Sequence, residues 1–418
     1  MDKPSTQMKV ALNIHEPFCL VTMGVQGAGK SHTVATVVES CLVPAKPLVH
    51  LRTPMSALVF HYDDMVANPC ECVSLMLPAK KIEAHFKSTG QESPILPTVR
   101  RLIVLTSPCY YQQRKQMYNG VANTEVRPLL FRWSDLQATQ LKKLMAVNEG
   151  DNQLYMNTFL SELRKYQRDG RKPSYDTFKK EIMSKLEGQS SALNPLKQRF
   201  ALMDALVAES ADNRKHGVEA AVHVKDLVEP GTMIIADLTD PLMDPDAANS
   251  IFDVLLEQYR GVDVSHGKLC VFDEAHKYLT TASTPLSNSI VSTVRQIRHY
   301  GMRVVVSTQS PMVLPPELLE LSSVAVCHRF HSRDWYRYLS SKIPLPSDRF
   351  DDVRELQPGE ALVCASRHGL SSAFSADKDK DEEREDVQVD DAAGDAFMVQ
   401  IRPRMTRDGG ASRTNKPK

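Results

Sequence analysis

The apolar positions of the chain fall into short continuous runs, each about as long as one strand of a sheet. A run without polar alternation is typical of a strand that is buried on both faces. Segments of helical length separate most of these runs, which indicates a mainly parallel sheet covered by helices. The predicted strands are Phe18–Met23, Ala57–Tyr62, Arg101–Thr106, Thr232–Asp237, Lys268–Phe272, Arg303–Ser307 and Ala361–Cys364.

A different pattern, with apolar residues three or four positions apart, occupies residues 131–228. This spacing places apolar side chains on one face of a helix, and no run here favours a strand. Ser134 is a candidate N-cap for the first of these helices. We therefore predict an all-α insertion between a first part of the α/β core, residues 14–130, and a second part, residues 229–372. The repeating residues are Leu136, Leu141, Leu144 and Met145, then Met156, Leu160 and Leu163, then Phe178, Ile182 and Leu186, then Leu196, Phe200 and Met203.

After the second core segment the chain becomes strongly charged. Residues 377–391 read DKDKDEEREDVQVDD and can bury almost nothing, which predicts an acidic disordered linker over residues 373–395. The apolar run Ala396–Ile401 predicts one more strand, and a basic tail follows it. These two features make up a last segment, residues 396–418.

The composition is that of an ordinary globular protein. The chain has 418 residues, of which 42% are apolar and 24% charged, so its length allows one large or two smaller domains. Lys plus Arg and Asp plus Glu both number 51. Net charge therefore does not point to nucleic acid or acidic lipid as a partner, although a local basic channel would not change that sum.

Cysteine usage and apolar run length indicate the compartment. The eight cysteines are scattered, and the closest pair, Cys70 and Cys72, is spaced C-x-C, so we expect no zinc framework and a reducing environment. The first ten residues contain no apolar stretch of signal-peptide length, and no run reaches the roughly 18 apolar residues of a membrane span. We expect a cytoplasmic or nuclear protein that is neither secreted nor transmembrane and has no membrane partner.

The segment Gly24–Ser31 reads GVQGAGKS, which is the complete G-x-x-x-x-G-K-[ST] pattern between an apolar strand and a helix-like stretch. Glycines let backbone N–H groups curl around phosphate oxygens at the start of a helix. Lys30 supplies charge to the β- and γ-phosphates, and Ser31 supplies a hydroxyl to Mg²⁺. The alternative is a chance match, which the flanking strand disfavours. We predict ATP and Mg²⁺ as cofactors, with nucleotide contacts from Gly24, Gln26, Gly27, Ala28, Gly29, Lys30, Ser31 and His32.

Polar side chains follow two further buried strands. Asp273 ends the run Lys268–Phe272 and is predicted to hold Mg²⁺ together with Ser31, while Glu274 is predicted to activate the attacking water. The alternative is an acidic turn exposed to solvent. After the next strand, Gln309 is predicted to hydrogen-bond the γ-phosphate or its attacking water, and the alternative is a polar turn that ends the strand.

The sequence does not decide the roles of several charged residues near two strand ends. Arg295, Arg298 and Arg303 bracket a helix-like segment, and in a ring of subunits one of them could reach a neighbour's γ-phosphate. The alternative, which is favoured for any single one of these arginines, is a solvated helix face. Asp237 and Asp240 form another acidic strand end, which could line the nucleotide site or end a turn.

Taken in chain order, these motifs resemble those of the HerA/FtsK group of P-loop ATPases, which includes ring-forming DNA translocases and type IV secretion ATPases. The resemblance covers about residues 15–60 and 230–370 and implies a RecA-like sheet of the ASCE class. It also implies a hexameric ring with ATP at subunit boundaries and an arginine finger near Arg298. It rests on the segments GVQGAGKS, KLCVFDEAHKYL, VRQIRHYGMRVVVSTQSP and LPPELLELSSVAVCHRF. The ATPase residues that it implies are Lys30, Ser31, Asp273, Glu274 and Gln309.

The chain also departs from that group. The phosphate loop begins at Gly24, so we expect no amino-terminal β-barrel, and the helical insertion has no recognisable counterpart. Asp273–His276 spells DEAH, the signature of a large helicase superfamily whose two ATP motifs lie much closer together than Lys30 and Asp273 do. Those enzymes need a second RecA-like domain with an arginine-rich motif, and we find no such motif after Val363. We assign His276 to a helix start near the site.

The leading hypothesis is an oligomeric ATPase, converting ATP and water to ADP and phosphate, that moves along or remodels nucleic acid. DNA is its candidate polymer and a second copy of the chain its candidate partner. The alternative is an ATP-dependent switch or scaffold whose helical insertion binds a protein. A small-molecule kinase is a weaker third reading, which Arg164, Arg168 and Arg171 in the insertion keep open.

Overall fold

A ten-stranded sheet forms the centre of the protein, seen in a computed structural model. The structure describes residues 10–45, 49, 51–63, 65–89, 97–145, 154–170, 172–186, 190–211, 213, 223–281, 283–365, 370–372 and 396–409. The predicted acidic linker, residues 373–395, lies outside them, as do residues 410–418 of the basic tail.

The strands of this sheet are β2 (Cys19–Met23), β3 (Ser56–His61), β4 (Arg101–Thr106), β5 (Thr124–Pro128), β6 (Thr232–Asp237), β7 (Lys268–Phe272), β8 (Met302–Thr308), β9 (Val324–Cys327), β10 (Glu360–Ala365) and β12 (Phe397–Gln400). Their order is β12-β10-β9-β2-β8-β7-β3-β6-β4-β5. Every pair from β9 to β5 is parallel, whereas β10 runs antiparallel to both of its neighbours. Two short strands, β1 (Val10–Leu12) and β11 (Leu370–Ser372), pair separately.

The seven predicted strands and the predicted carboxy-terminal strand are all present. Alternate residues of the central strands enter two different cores, since successive side chains of a strand point to opposite faces. In β3, Leu58 and Phe60 join one core, and Ala57 and Val59 join the other. Each fully buried Val, Leu, Ile or Phe contributes about 1.5–3 kcal/mol, which explains why these runs contain no polar alternation.

The helices cover both faces of the sheet. They are α1 (Lys30–Leu42), α2 (Lys80–Thr89), α3 (Tyr111–Met117), α4 (Ala138–Leu144), α5 (Leu154–Asp169), α6 (Tyr175–Lys185), α7 (Ser190–Leu206), α8 (Pro245–Arg260), α9 (Pro285–Arg295), α10 (Pro316–Glu320), α11 (Arg333–Ser340) and α12 (Phe350–Glu355). Helix α1 packs on one face through Val34 and Val38. Helices α8 and α9 pack on the other face through Ile251, Leu255 and Ile290. The predicted α/β class is confirmed.

The predicted insertion contains helices α4 to α7, and Leu141, Phe178 and Phe200 of these helices join the same core as α8 and α9. Phe131 and Val207 form an isolated parallel bridge that closes this region at its base. The expected N-cap is wrong. Ser134 lies in a 3-10 turn, and α4 begins after Gln137, which forms a capping box with Gln140.

The segment after β12 lies along α1 and forms a strap, Arg402–Arg407. Glu39 of α1 is fully buried and accepts hydrogen bonds from the backbone N–H groups of Met405, at 3.2 Å, and Thr406, at 2.8 Å. Arg402 donates to the same carboxylate at 2.9 Å. The strap therefore closes over the helix that follows the phosphate-binding motif.

None of the described helices is both long enough and apolar enough to cross a bilayer.

Candidate nucleotide-binding site

The predicted site residues meet at one edge of the sheet. Strands β2, β8, β7 and β3 are consecutive and parallel, so their carboxyl ends lie side by side. The phosphate loop follows β2, Gln309 follows β8, and Asp273 and Glu274 follow β7. His61 is the last residue of β3.

The loop that follows β2 has the backbone of an anion cradle. Gly27 has a φ of 75° and Gly29 a φ of 113°, both in the left-handed region that favours glycine. Gly29 is the N-cap residue of α1, a helix of 13 residues. The N–H groups of the loop therefore lie at the positive end of the helix dipole, where an anion is stabilised. A Cβ at Gly24 would lie 2.8 Å from the Cβ of His328, so close packing also requires glycine there.

His328, the residue after β9, packs against Gly24 and Gly29 of the loop. Its ring nitrogens contact Thr33 Oγ1 at 2.9 Å and the carbonyl oxygen of Glu360 at 3.0 Å. Burial lowers the pKa of His328 to about 4, so the ring is neutral at pH 7. The backbone carbonyl oxygen of the next residue, Arg329, accepts a hydrogen bond from the N–H of Val25 at 3.0 Å. Sequence reasoning did not identify this support, because its residues lie about 300 positions from the loop.

Lys30 lies inside the site with 3% of its surface exposed. Its Nζ donates to the carbonyl oxygen of Val25 at 3.1 Å. Burial lowers the pKa of Lys30, while the charges of Glu274, Asp273 and Glu71 oppose that shift. The lysine thus lies in the field of all three carboxylates.

Glu71 is an acid of this site that the motifs did not reveal. It begins a 3-10 helix, Glu71–Met76, and its carboxylate interacts with the Ser31 hydroxyl. Burial raises the pKa of Glu71, the Ser31 contact lowers it, and the charge of Asp273 raises it. Arg404 of the strap lies 3.6 Å from the Glu71 carboxylate. The strap therefore reaches the hydroxyl of Ser31 through a single intervening side chain.

Asp273 is buried beside the neighbouring strand. Its backbone N–H donates to the carbonyl oxygen of Phe60 at 3.1 Å, and its carboxylate lies 3.6 Å from His61 Nδ1. Burial lowers the pKa of His61, but the nearby charges of Asp273 and Asp237 outweigh it and the net shift is upward. At 3.6 Å the carboxylate acts on the ring through charge, because the separation exceeds a hydrogen bond.

Glu274 and Gln309 are in direct contact. The Gln309 amide donates to Glu274 Oε2 at 2.8 Å, and His276 Nδ1 lies 3.3 Å from the same oxygen. Glu274 has a φ of 46°, an uncommon conformation for a residue with a side chain and one concentrated at functional sites. Burial lowers the pKa of His276, so its ring is neutral at pH 7. His276 belongs to a 3-10 turn, Ala275–Lys277, close to the helix start assigned from the sequence.

Three residues of the predicted nucleotide set lie differently from the rest. Gln26 is exposed at the tip of the loop, whereas Ala28 is buried beneath it. His32 points to the strap, where its Nε2 lies 2.9 Å from the carbonyl oxygen of Arg402. Contact between His32 and a nucleotide therefore stays a prediction.

The three candidate arginines lie away from this chain's own loop. Arg298 is exposed in the turn that precedes β8, at the amino edge of the sheet, whereas the loop is at the carboxyl edge. Arg295 pairs with Glu317 at 2.5 Å. Arg303 is buried and donates to the carbonyl oxygen of Ile14 at 3.1 Å. Only a neighbouring subunit could bring Arg298 to a nucleotide.

The acidic end of β6 has a structural explanation. Asp237 is fully buried and accepts hydrogen bonds from Arg114, whose Nε lies 2.9 Å away, and from the Tyr118 hydroxyl. Asp240 accepts from Ser107 at 2.5 Å and from the N–H of Leu242 at 2.9 Å. The alternative that the sequence left open is therefore decided in favour of an ion pair and a turn.

These residues fit a nucleoside triphosphate with a divalent cation. The loop provides backbone N–H groups and the buried Lys30 ammonium group, which has N–H donors besides the one that Val25 accepts. Such donors suit phosphate oxygens. Ser31, Glu71 and Asp273 offer oxygen atoms beside it, which suits Mg²⁺.

Comparison with protein families gives one match. Residues 249–334 match the profile of the family described as Helicase HerA-like C-terminal. This segment contains Asp273, Glu274, Arg298 and Gln309 but not the phosphate loop. A search of curated proteins finds no significant match. Together with the fold, the match confirms the resemblance to HerA/FtsK-like P-loop ATPases.

Comparison with solved structures gives several similar folds. The bacterial conjugative coupling protein TrwBdeltaN70 has a TM-score of 0.50 at 12% identity, covering 98% of this chain and 91% of that chain. VirB4 of Thermoanaerobacter pseudethanolicus has a TM-score of 0.47 at 14% identity, covering 85% of this chain and 90% of that chain. The genome packaging NTPase B204 from Sulfolobus turreted icosahedral virus 2, in complex with AMPPCP, has a TM-score of 0.27 at 16% identity, covering 35% of this chain and 66% of that chain. At 12% identity the likeness to TrwBdeltaN70 concerns the fold alone.

Proposed function

We propose that this HerA/FtsK-like chain binds ATP with Mg²⁺ at the loop Gly24–Ser31 and hydrolyses it. The observation that carries the proposal is the burial of Lys30 among Glu71, Asp273 and Glu274 at the end of a glycine loop. A buried cation next to several carboxylates suits a ligand that is itself a polyanion with a divalent cation. A phosphate oxygen would accept hydrogen bonds from the Lys30 ammonium group, and the divalent cation would balance the charge of the carboxylates.

The binding roles follow from the chemistry of each side chain. Loop N–H groups and Lys30 would hold the β- and γ-phosphates, while Ser31 and Asp273 would hold Mg²⁺. Mg²⁺, when bound, neutralises the charge that develops on the phosphates. Glu71, in contact with Ser31, would orient the serine hydroxyl toward the metal.

Hydrolysis requires a base and an oriented water. The water oxygen would form a bond to the γ-phosphorus while the bond to the bridging β–γ oxygen breaks, and the water proton would pass to Glu274. Gln309 occupies Glu274 Oε2 at 2.8 Å, which leaves Oε1 available to accept that proton. Gln309 is thus suited to hold the base in one rotamer and to couple it to the γ-phosphate.

The test of hydrolysis is Glu274→Gln, a change that keeps shape and removes the base. We expect ATP affinity within about threefold of the parent and phosphate release slower by about 10²–10⁴-fold. Affinity is measured with a fluorescent ATP analogue, and turnover as phosphate release. Glu257→Gln, on α8, is the matched control and should keep the parent rate. A parent rate in Glu274→Gln would show that another group activates the water.

The motor function extends this proposal. The HerA-like segment at residues 249–334 supports a chain that couples hydrolysis to movement along nucleic acid, as a homo-oligomer. We expect DNA to stimulate phosphate release and ATP to raise the native mass above that of one chain. If neither single- nor double-stranded DNA changes the rate of phosphate release, and the protein stays monomeric with ATP, the motor function is contradicted. ATP hydrolysis would then remain as the proposed activity. If binding of a protein partner requires ATP but persists in Glu274→Gln, the alternative of an ATP-dependent switch or scaffold is favoured instead.

A further inference from the structure

Next to the proposed Mg²⁺ site, three side chains of different chemistry point at one another. The ring of His61, the thiol of Cys70 and the carboxylate of Asp273 are all buried, and one ligand atom from each lies within 4.8 Å of the others. In the part of the chain that the structure describes, no other group of three such residues converges in this way. Imidazole, thiol and carboxylate together form a ligand set for a transition metal ion.

His61 gives independent support, because its buried ring makes no hydrogen bond to any residue that the structure describes, and the Asp273 carboxylate acts on it only through charge, from 3.6 Å. Only 5% of the residue is exposed, and neither ring nitrogen has a hydrogen-bond partner among the described residues. A buried polar group without a partner costs about 1–3 kcal/mol, so such groups are rare in folded proteins. A metal ion bound by one nitrogen would remove part of that cost.

We propose that His61, Cys70 and Asp273 form a binding site for Zn²⁺, distinct in chemistry from the Mg²⁺ site but sharing its aspartate. Zn²⁺ takes three protein ligands of these types and leaves a fourth position for water or a phosphate oxygen. Mg²⁺ does not compete for the thiol and the imidazole, because it prefers oxygen atoms. His61 Nδ1 and the Asp273 carboxylate already lie 3.6 Å apart, within the span of two ligands on one ion.

The neighbours of Cys70 restrict its position. Its backbone N–H donates to the Tyr118 hydroxyl at 3.3 Å, and its thiol contacts that of Cys72. Neither cysteine is in a disulfide, so both thiols are available. C-x-C spacing gave no indication of this site, because its ligands come from the end of β3, the following loop and the end of β7.

One functional consequence rests on the proposed role of Asp273 in ATP hydrolysis. An aspartate that binds Zn²⁺ is withdrawn from Mg²⁺, so zinc binding should inhibit phosphate release. A bound ion would also be close to Glu71, which adjoins Cys70 in sequence and contacts Ser31. The site would therefore make turnover sensitive to free zinc.

Metal binding is tested on the full chain without nucleotide, with Co²⁺ as the spectroscopic probe. We expect about one Co²⁺ per chain, a thiolate-to-metal charge-transfer band, and loss of that band when Zn²⁺ displaces the ion. Cys70→Ser should abolish the band, and His61→Ala should weaken binding by about tenfold or more. Cys109→Ser removes an exposed thiol and should leave the band unchanged. Absence of the band in the parent protein overturns the proposal without reference to any variant.

The second arm measures phosphate release in saturating Mg²⁺ with and without Zn²⁺. Inhibition of the parent and loss of zinc sensitivity in Cys70→Ser support the shared aspartate. Equal inhibition in both overturns it, since zinc would then act elsewhere. Failure of all samples to hydrolyse ATP would count against the proposed ATPase alone, because the cobalt band does not depend on turnover.

Discussion

Lys30 illustrates how much one side chain contributes to the proposed site. It has three N–H donors, and Val25 takes one of them. A phosphate oxygen bound by the remaining donors would gain a charge-assisted hydrogen bond in a buried place, where such bonds are strongest.

We expect Lys30→Ala to weaken ATP binding by about 2–3 kcal/mol, which is roughly 30- to 150-fold in dissociation constant. The measurement is a titration with a fluorescent ATP analogue. Lys225→Ala is the control, because Lys225 is exposed in the 3-10 turn Val224–Leu227, before the amino end of β6. Equal affinity in the parent and in Lys30→Ala would place the phosphates elsewhere.

His328 leads to a prediction about pH. Its pKa is about 4 in the folded protein and near 6.5 in an unfolded chain, so between these values the unfolded state binds the extra proton. Stability from this residue is complete above pH 6.5 and is lost as pH falls toward 4. Between pH 7 and pH 5 the loss should be about 2 kcal/mol in the free energy of unfolding.

The test compares urea unfolding of the parent and of His328→Gln at both pH values. Other groups titrate in the same range, so the difference between the two proteins isolates His328. We expect a pH dependence smaller by about 2 kcal/mol in the variant. Identical pH dependence would mean that the ring is not held neutral beneath the loop.

At the scale of elements, the strap shows how distant segments stabilise the site. Glu39 of α1 is a fully buried carboxylate, and its partners Arg402, Met405 and Thr406 all come from the strap. Removing one side of such a cluster leaves buried donors unpaired, which is among the costliest changes in a folded protein.

We expect Glu39→Ala to lower the free energy of unfolding by about 3–5 kcal/mol. Glu229→Ala is the control, because the exposed Glu229 pairs with Arg101 at the surface and should cost less than about 1 kcal/mol. Both are measured by urea unfolding at pH 7. Similar losses in the two variants would contradict the strap's stabilising role.

The elements that could be predicted from sequence are those whose signal is local. Strand β7 has five consecutive buried residues, and its run is visible in the sequence. Strand β5, at the edge of the sheet, contains Thr124, Glu125, Arg127 and Pro128, so burial imposes no apolar pattern on it.

The same distinction applies to the site. The phosphate loop, the acidic pair and Gln309 each follow a predicted strand, so parallel pairing alone brings them together. Glu71 and Arg404 follow no strand, and His328 follows β9, which is not among the predicted strands, so only the packed structure brings these residues near the loop. Local rules thus identify the residues that follow predicted strands and miss the residues that support them from elsewhere in the chain.

At the scale of the whole molecule, the position of Arg298 bears on assembly. It lies at the amino edge of the sheet, so it cannot serve the loop of its own chain. If it acts as an arginine finger, a second copy must supply the site that it serves.

We expect Arg298→Ala to slow phosphate release by about 10³-fold if it acts on a neighbour's nucleotide. Mixing Arg298→Ala with Glu274→Gln should then restore part of the activity, because each supplies what the other lacks. The measurement is phosphate release against mixing ratio. Arg333→Ala, another exposed arginine, is the control. Additive rates from the two proteins would show that no site is shared.

The partnership between Glu39 and Thr406 also bears on biosynthesis, since 367 positions separate the two residues. A ribosome releases α1 long before it has made the strap, so this carboxylate has none of its strap partners while the intervening residues are being made. Contacts of such long sequence separation form late and slowly. The nascent chain should therefore acquire a mature nucleotide pocket only after the strap has emerged, which delays any ATP turnover until residue 407 has been made.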